Sequence, residues 1–371
     1  MPSLSRLILL AILVAIVAAI PAAAQVDSIS LPDSIWAGDS VTWVRKVPNY
    51  CEGPAYEKAT GAVYFTVQTA SKPNWPIYRT IPGVDTGGAW YNVKQNNGLA
   101  FDPQGRLVAC QNGQLSRILH DSTSGQGVLD SVLTTFTSTT QSNDLYIGRA
   151  GDIYFSGYND GKVYYLNTQR VLSTVATGVT SSNGIEWLQD LDSNAVYVNG
   201  SGSSIVYRYQ RDSVTGALSN RTNFITGIQA DGGTFDSHGN RYVASYGTGE
   251  IRVYNMAGTQ LGRIALRKQS GIYDSVNSQG RTGKQGNSDN CVFGGSDMKT
   301  LFITGDGGLF SLRLKIPGVP AGQPTAIRRS LYSRKNSDVN ESPDSRDVLG
   351  RKLSDSWEGP VLKSLPTSRN P

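Results

Sequence analysis

The stretch Asn97–Gln111 reads NGLAFDPQGRLVACQ. A polar residue and a glycine open it, and Leu99, Ala100 and Phe101 form a short apolar run. Asp102-Pro103-Gln104-Gly105 then makes a turn, and Leu107 to Cys110 is a second apolar run. Two strand-length runs around a Pro/Gly turn read as a β-hairpin. The pattern recurs at Glu52-Gly53 (EGPAYEKATGAVYFTV), Asn143-Asp144 (NDLYIGRAGDIYFSG) and Asn183-Gly184 (NGIEWLQDLDSNAVYVNG). It returns at Asp231-Gly232 (DGGTFDSHGNRYVASY) and Asn290-Cys291 (NCVFGGSDMKTLFITG). Successive starts lie 45, 46, 40, 48 and 59 residues apart. Further strand-like runs follow, as at Ile205 to Tyr209 and Ile251 to Tyr254. About 45 residues and four strands per unit is the size of a β-propeller blade. Six units predict an all-β, six-bladed propeller. The stretch Val26 to Lys46 is expected to supply an N-terminal strand that closes the ring with the last blade, because closure protects sheet edges. The extra residues before Asn290, including Lys268 to Asn287, read as a surface loop.

The composition agrees with many short strands joined by tight turns. Glycine is 41 of 371 residues and tyrosine 18, while charged residues are only 17%. That balance disfavours a helical bundle, and 39% apolar residues disfavour a wholly disordered chain. Length alone suggests two domains. The repeats instead divide the chain into a leader at 1–24, one propeller at 25–318 and a tail at 319–371.

The N-terminus reads as an export signal. Arg6 supplies the positive charge, Leu7 to Ile20 the apolar run, and Ala22, Ala23 and Ala24 the small-residue cleavage site. The run is shorter than the roughly 20 residues of a membrane span. The mature chain is therefore expected to start at Gln25, without a stable membrane anchor, in the periplasm or outside the cell. The tail is rich in Ser, Pro, Arg and Asp and reads as mobile. Its Asp347-Val348-Leu349-Gly350-Arg351 resembles the turn of bacterial C-terminal sorting domains. Of the net charge of +5, the tail carries +3 and Arg6 +1. The body is nearly neutral and has no basic cluster interleaved with aromatics, which argues against a nucleic-acid partner. The three cysteines, Cys51, Cys110 and Cys291, leave at least one thiol free and form no C-x-x-C. A bridge between Cys51 and Cys291 is conceivable, since the first and last blades are neighbours in a closed ring.

In a propeller the inner strand of every blade runs along the central channel. The same position of each copy therefore faces the same end of it. Those positions are Glu52, Asn97, Asn143, Asn183, Asp231 and Asn290. Singly, such residues are ordinary turn formers. In register they present two carboxylates and four amides, which suit a hard cation such as calcium with its 6–8 oxygen ligands. The chain holds only two histidines, His120 and His238, and neither is placed for the channel. Imidazole chemistry and a Ser-His-Asp triad are thereby disfavoured.

The strings Cys51-Glu52-Gly53-Pro54, Asn97 to Asp102, Asn143-Asp144-Leu145, Ser182-Asn183-Gly184-Ile185, Ala230-Asp231-Gly232 and Asn290 to Gly295 resemble the senescence marker protein / gluconolactonase / luciferin-regenerating enzyme family. The likeness runs from about Tyr50 to Gly318. It implies a six-bladed propeller with one catalytic divalent cation on its axis, usually Ca2+, with Zn2+ or Mg2+ as alternatives. By motif, Glu52, Asn183 and Asp231 match the metal ligands. Asn143 matches a residue that ligates the metal or contacts substrate, and Asn97 and Asn290 are substrate-contact candidates. The implied chemistry is metal-assisted opening of a sugar lactone or related small ester, with Asp231 as the base. The resemblance departs at Gln141, where some sugar-lactone members carry arginine, and at Gly157-Tyr158, where an acidic sugar contact is expected. Trp90, Tyr158, Trp187 and Tyr246 are candidates for the mouth or for blade packing.

Two other readings stand beside this one. A propeller of the same build can bind a ligand without catalysis, and a phosphotriesterase-like hydrolase uses a similar metal site. Retention of both Glu52 and Asp231 favours an enzyme, expected to act as a monomer.

Overall fold

The computed structural model describes residues 29–47, 49–69, 74–84, 88–137, 140–189, 191–266 and 287–319. The chain divides into two units, 1–325 and 326–371, and every described residue belongs to the first. The leader, the tail beyond Val319 and most of the expected loop before Asn290 lie outside the described residues.

The first unit is a ring of six four-stranded antiparallel sheets. Blade 1 has its inner strand at Tyr50–Glu57, blade 2 at Asn96–Phe101 and blade 3 at Ser142–Ile147. Those of blades 4, 5 and 6 are Ser182–Trp187, Ala230–Phe235 and Ser288–Gly294. Each inner strand packs against those of its two neighbours, and blade 6 returns to blade 1. The strand Thr42–Lys46 pairs with Gly308–Arg313 as the outer strand of blade 6, so the N-terminal strand closes the ring as expected. Upstream of it, Ser30 exchanges both backbone hydrogen bonds with Arg263 on the edge of blade 5, at 2.9 and 2.7 Å. The N-terminal segment thus covers the edges of the last two blades. Among the described residues there is no α-helix, only a 3-10 turn at Ser201–Ser203.

The turns form for local reasons. In Asp102 to Gly105 the Asp102 carboxylate accepts from the Gln104 and Arg106 amides at 3.0 and 2.9 Å. Gly105 sits at φ +75°, which an L side chain resists. Asp236 repeats the device on the His238 and Asn240 amides, both at 2.9 Å.

The core lies between blades as a set of separate clusters. Tyr64, Trp90, Leu99 and Phe101 fill the gap between blades 1 and 2. Ala100, Leu145, Phe155 and Leu166 lie between blades 2 and 3, and Tyr154, Ile185 and Trp187 between blades 3 and 4. Burying each large side chain contributes roughly 1.5–3 kcal/mol. The three cysteines are free and buried. Cys51 packs with Val63, Phe65 and Phe302 between blades 6 and 1, whereas Cys291 packs with Tyr242 and Phe293 between blades 5 and 6. The two thiols occupy opposite sides of blade 6, so the bridge does not form.

Candidate active site

The inner strands begin at one end of the channel and there frame a cavity of about 680 Å³, its open mouth included. Glu52, Asn97, Asn143, Asn183 and Asp231 all line it. Five of the six register positions are therefore brought together. Around them stand Tyr50, Trp75, Gln141, Tyr158 and Tyr246. Tyr158 and Tyr246 are thus at the mouth, as one reading of the aromatics expected. Trp90 and Trp187 are not. Trp90 packs between blades 1 and 2 and donates to His120 Nδ1 at 3.1 Å, and Trp187 packs between blades 3 and 4. Both histidines are exposed and outside the cavity.

Asn290 is the exception. Its Nδ2 donates to Asp144 Oδ2 at 3.0 Å, and it lines a second cavity at the other end of the channel. The expectation that all six positions face one end of the channel is corrected for Asn290. The reason is alignment. Ser288 and Cys291 pair with Gly305 and Ile303 as Ala230 and Gly233 pair with Ser245 and Val243. Asn290 therefore stands where Gly232 stands in blade 5 and Asp144 in blade 3, one residue past the position of Asp231. A one-residue offset turns a side chain to the opposite face.

The residue in register with Asp231 is Asp289, which the sequence pattern did not single out. It is fully buried, and neither carboxylate oxygen has a hydrogen-bond partner of good geometry. Burial pushes its pKa well up, the charges of Glu52, Asp231 and Asp306 add to that, and the Tyr50 hydroxyl opposes it. Tyr50 Oη lies 3.2 Å from Glu52 Oε1 and 3.5 Å from Asp231 Oδ2. One phenolic proton thus serves a group of carboxylates. Asp144, beside Asn143, is a second missed acid. It accepts from the Leu145 amide at 2.9 Å and is pushed up to about 7, by burial first and by Glu186 next. The signal for both is in the sequence: Asp144 stands where other copies have Gly98, Gly184 and Gly232, and Ser288-Asp289-Asn290 lines up with Ser142-Asn143-Asp144.

The floor is cross-braced. Thr66 Oγ1 donates to Asn97 O at 2.8 Å, and Ser142 Oγ donates to Gln111 O at 2.9 Å. Asn199 Nδ2 donates to Asp231 O, while Asn199 Oδ1 accepts from the fully buried Arg241 at 2.8 Å. Arg241 also pairs with Glu186. This chain of bonds fixes the backbone that carries Asp231.

Electrostatically the cavity is strained. Burial raises the Glu52 pKa to about 8, with Asp144 adding to it, against the Gly53 amide, which donates to Oε2 at 3.0 Å. Asp231 is raised for the same reasons, burial first and then Glu52 and Asp144. Asp231 Oδ1 and Asn97 Oδ1 are buried without a protein partner. Buried polar atoms usually have partners. Unpartnered oxygens among two carboxylates and several amides fit a hard cation. Among the described residues no three His, Cys, Asp or Glu converge to hold an ion by themselves. The amides Asn143 and Asn183 would have to complete the set.

Comparisons with known proteins agree with this geometry. The family described as SMP-30/Gluconolactonase/LRE-like region matches residues 50–272. Pentonolactonase XacC of Haloferax volcanii is 27% identical over 281 residues, which cover 72% of this chain and 86% of that protein. A solved gluconolactonase of Xanthomonas campestris superposes with a TM-score of 0.58 at 22% identity, covering 78% of this chain and 96% of its own. Regucalcin of Agrobacterium tumefaciens, described as a calcium-binding protein, gives 0.59 at 17% identity over 76% and 95%.

Proposed function

Since the chain belongs to the SMP-30/gluconolactonase/LRE-like family, we propose that it is a calcium-dependent hydrolase that opens a sugar lactone. The observation that carries this reading is the convergence of Glu52, Asn143, Asn183 and Asp231 in one cavity with Asp231 Oδ1 left unpartnered. Glu52, Asn143, Asn183 and Asp231 would hold the cation, Ca2+ or another divalent ion such as Zn2+ or Mg2+. When bound in such a pocket, a divalent cation supplies Lewis-acid polarisation of the ring carbonyl.

The remaining work falls to the chain. The Asp231 carboxylate oxygen not engaged by the cation would accept a proton from water as the water oxygen adds to the carbonyl carbon. The ring C–O bond then breaks, and the proton passes to the departing alkoxide, giving a hydroxy acid. The Gly53 amide holds Glu52 Oε2, so that carboxylate keeps one orientation. Asn97, Gln141 and Tyr158 line the wall where the sugar hydroxyls would lie. That wall is neutral, without the arginine and the acid of some sugar-lactone members. A neutral wall also accommodates a less polar ester, which keeps a phosphotriesterase-like hydrolase as the second reading. A propeller that binds a ligand without turnover is the third.

The test measures acid release from gluconolactone and a pentonolactone, and fluoride release from a fluorophosphate, with calcium and with chelator. Calcium-dependent acid release supports the proposal. Fluoride release alone transfers it to the second reading, and binding without turnover to the third. We further propose action outside the cytoplasm, supported by Arg6, Leu7 to Ile20 and Ala22 to Ala24. N-terminal sequencing of the mature protein should begin at Gln25.

A further inference from the structure

Asp289 is a fully buried carboxylate whose two oxygens lack hydrogen-bond partners. A buried charge of this kind is costly unless something compensates it. Its surroundings make the matter sharper. The charges of Glu52, Asp231 and Asp306 act on it, and the Tyr50 hydroxyl is what opposes them. The same hydroxyl lies within bonding range of Glu52 Oε1 and Asp231 Oδ2. A phenol carries one proton, so it satisfies one carboxylate at a time. Strand pairing puts Asp289 in blade 6 where Asp231 stands in blade 5, so three inner-strand carboxylates share one end of the channel with one phenolic donor.

We propose that Asp289 is the third carboxylate of the cation pocket: it does not ligate the ion, but accepts the Tyr50 hydroxyl once Glu52 and Asp231 engage a divalent cation, and so tightens cation binding. Asp289 is a positioning residue acting through Tyr50. In the loaded state the cation satisfies two carboxylates and Tyr50 the third. Removing Asp289 leaves the hydroxyl with Glu52 and Asp231, where it competes for the same oxygens. It also removes a negative charge near the ion, and site affinity follows the ligand charge count. The proposal rests on the cation reading above.

The experiment titrates the full chain with CaCl2 by calorimetry and records melting in chelator, for the wild type, Asp289→Asn, Tyr50→Phe and the double variant. Each single variant should weaken calcium binding by about tenfold or more, in the range of groups that orient metal ligands. The double variant should be no weaker than the weaker single one, because both act on one link. Melting of Asp289→Asn in chelator should not fall, since a buried carboxyl without hydrogen-bond partners has been replaced by an amide of the same shape. A merely structural residue would instead lower melting in chelator and leave the calcium affinity alone. An Asp289→Asn affinity within twofold of wild type overturns the proposal, as do losses that add in the double variant. If Asp289→Asn does not fold, Tyr50→Phe decides by the same criterion. A wild type that binds no calcium overturns the cation reading itself and this proposal with it.

Discussion

At the scale of single residues, Asp231 has a carboxylate oxygen free to receive a proton and a backbone fixed by Asn199. Asp231→Asn should lower lactone turnover by about 10²–10⁴-fold, the span attributed to a general base, with an unchanged circular dichroism spectrum. Near-normal turnover would remove Asp231 from the mechanism. Glu52 makes a pH prediction. Its pKa in the folded, cation-free protein is about 8 against an ordinary 4.5. Between those values the folded state holds a proton that the unfolded chain has lost. Stability therefore falls as pH rises through that window. In chelator the protein should melt at a lower temperature at about pH 8.5 than at about pH 5.5, and calcium should abolish the difference. Melting that rises with pH in chelator would show that Glu52 is not held protonated. Asp289 stands one residue before the Asn-Cys pair that resembles the start of the other copies, and the pairing of Ser288 and Cys291 is what puts it in register with Asp231.

At the scale of the strand, the recurrent glycine after the polar residue has a packing cause. Gly53 sits at φ +50°, and a Cβ there would lie 2.2 Å from Asn97 O on the next blade. Gly184 meets the next blade in the same way, its Cβ falling 2.4 Å from Asp231 O. Gly53→Ala should destabilise the fold by about 2–4 kcal/mol, combining backbone strain with a forced separation of blades. The urea midpoint measures it, and an unchanged midpoint would mean that the two inner strands part without cost. This close approach explains why hairpin period, turn residues and the polar-Gly dipeptide made blade number and order legible from sequence. It also explains the limit. Alternation tells which residues share a face only while the register is unbroken. A shift of one residue in the alignment exchanges the two faces without changing composition, so Asn290 is expected at the mouth while Asp289 occupies that register.

At the scale of the whole molecule, six blades meet around one charged cavity and a short N-terminal strand fastens them. The calcium proposed at the axis would touch inner strands of several blades, so saturating calcium should raise the melting temperature. At about 100 times its dissociation constant a ligand adds about 2.7 kcal/mol. Equal melting with calcium and with chelator would count against an axial ion. Deleting residues 29–46 should be far more severe, exposing the strand Gly308–Arg313 and the Phe310 ring on which Trp43 stacks at 4.1 Å. The shortened chain should elute as aggregates on size exclusion and lose its cooperative melt. A monomeric, cooperatively melting product would show that the ring holds without its clasp. That clasp also imposes a timetable. Thr42 meets Ser311 across 269 residues of sequence. At roughly 5–20 residues per second of synthesis, the first strand waits on the order of tens of seconds for its partner. Blades can form one after another during that interval, but the circle is completed only after nearly all of the propeller has been made. Resistance to unfolding is then governed by how rarely that single seam opens.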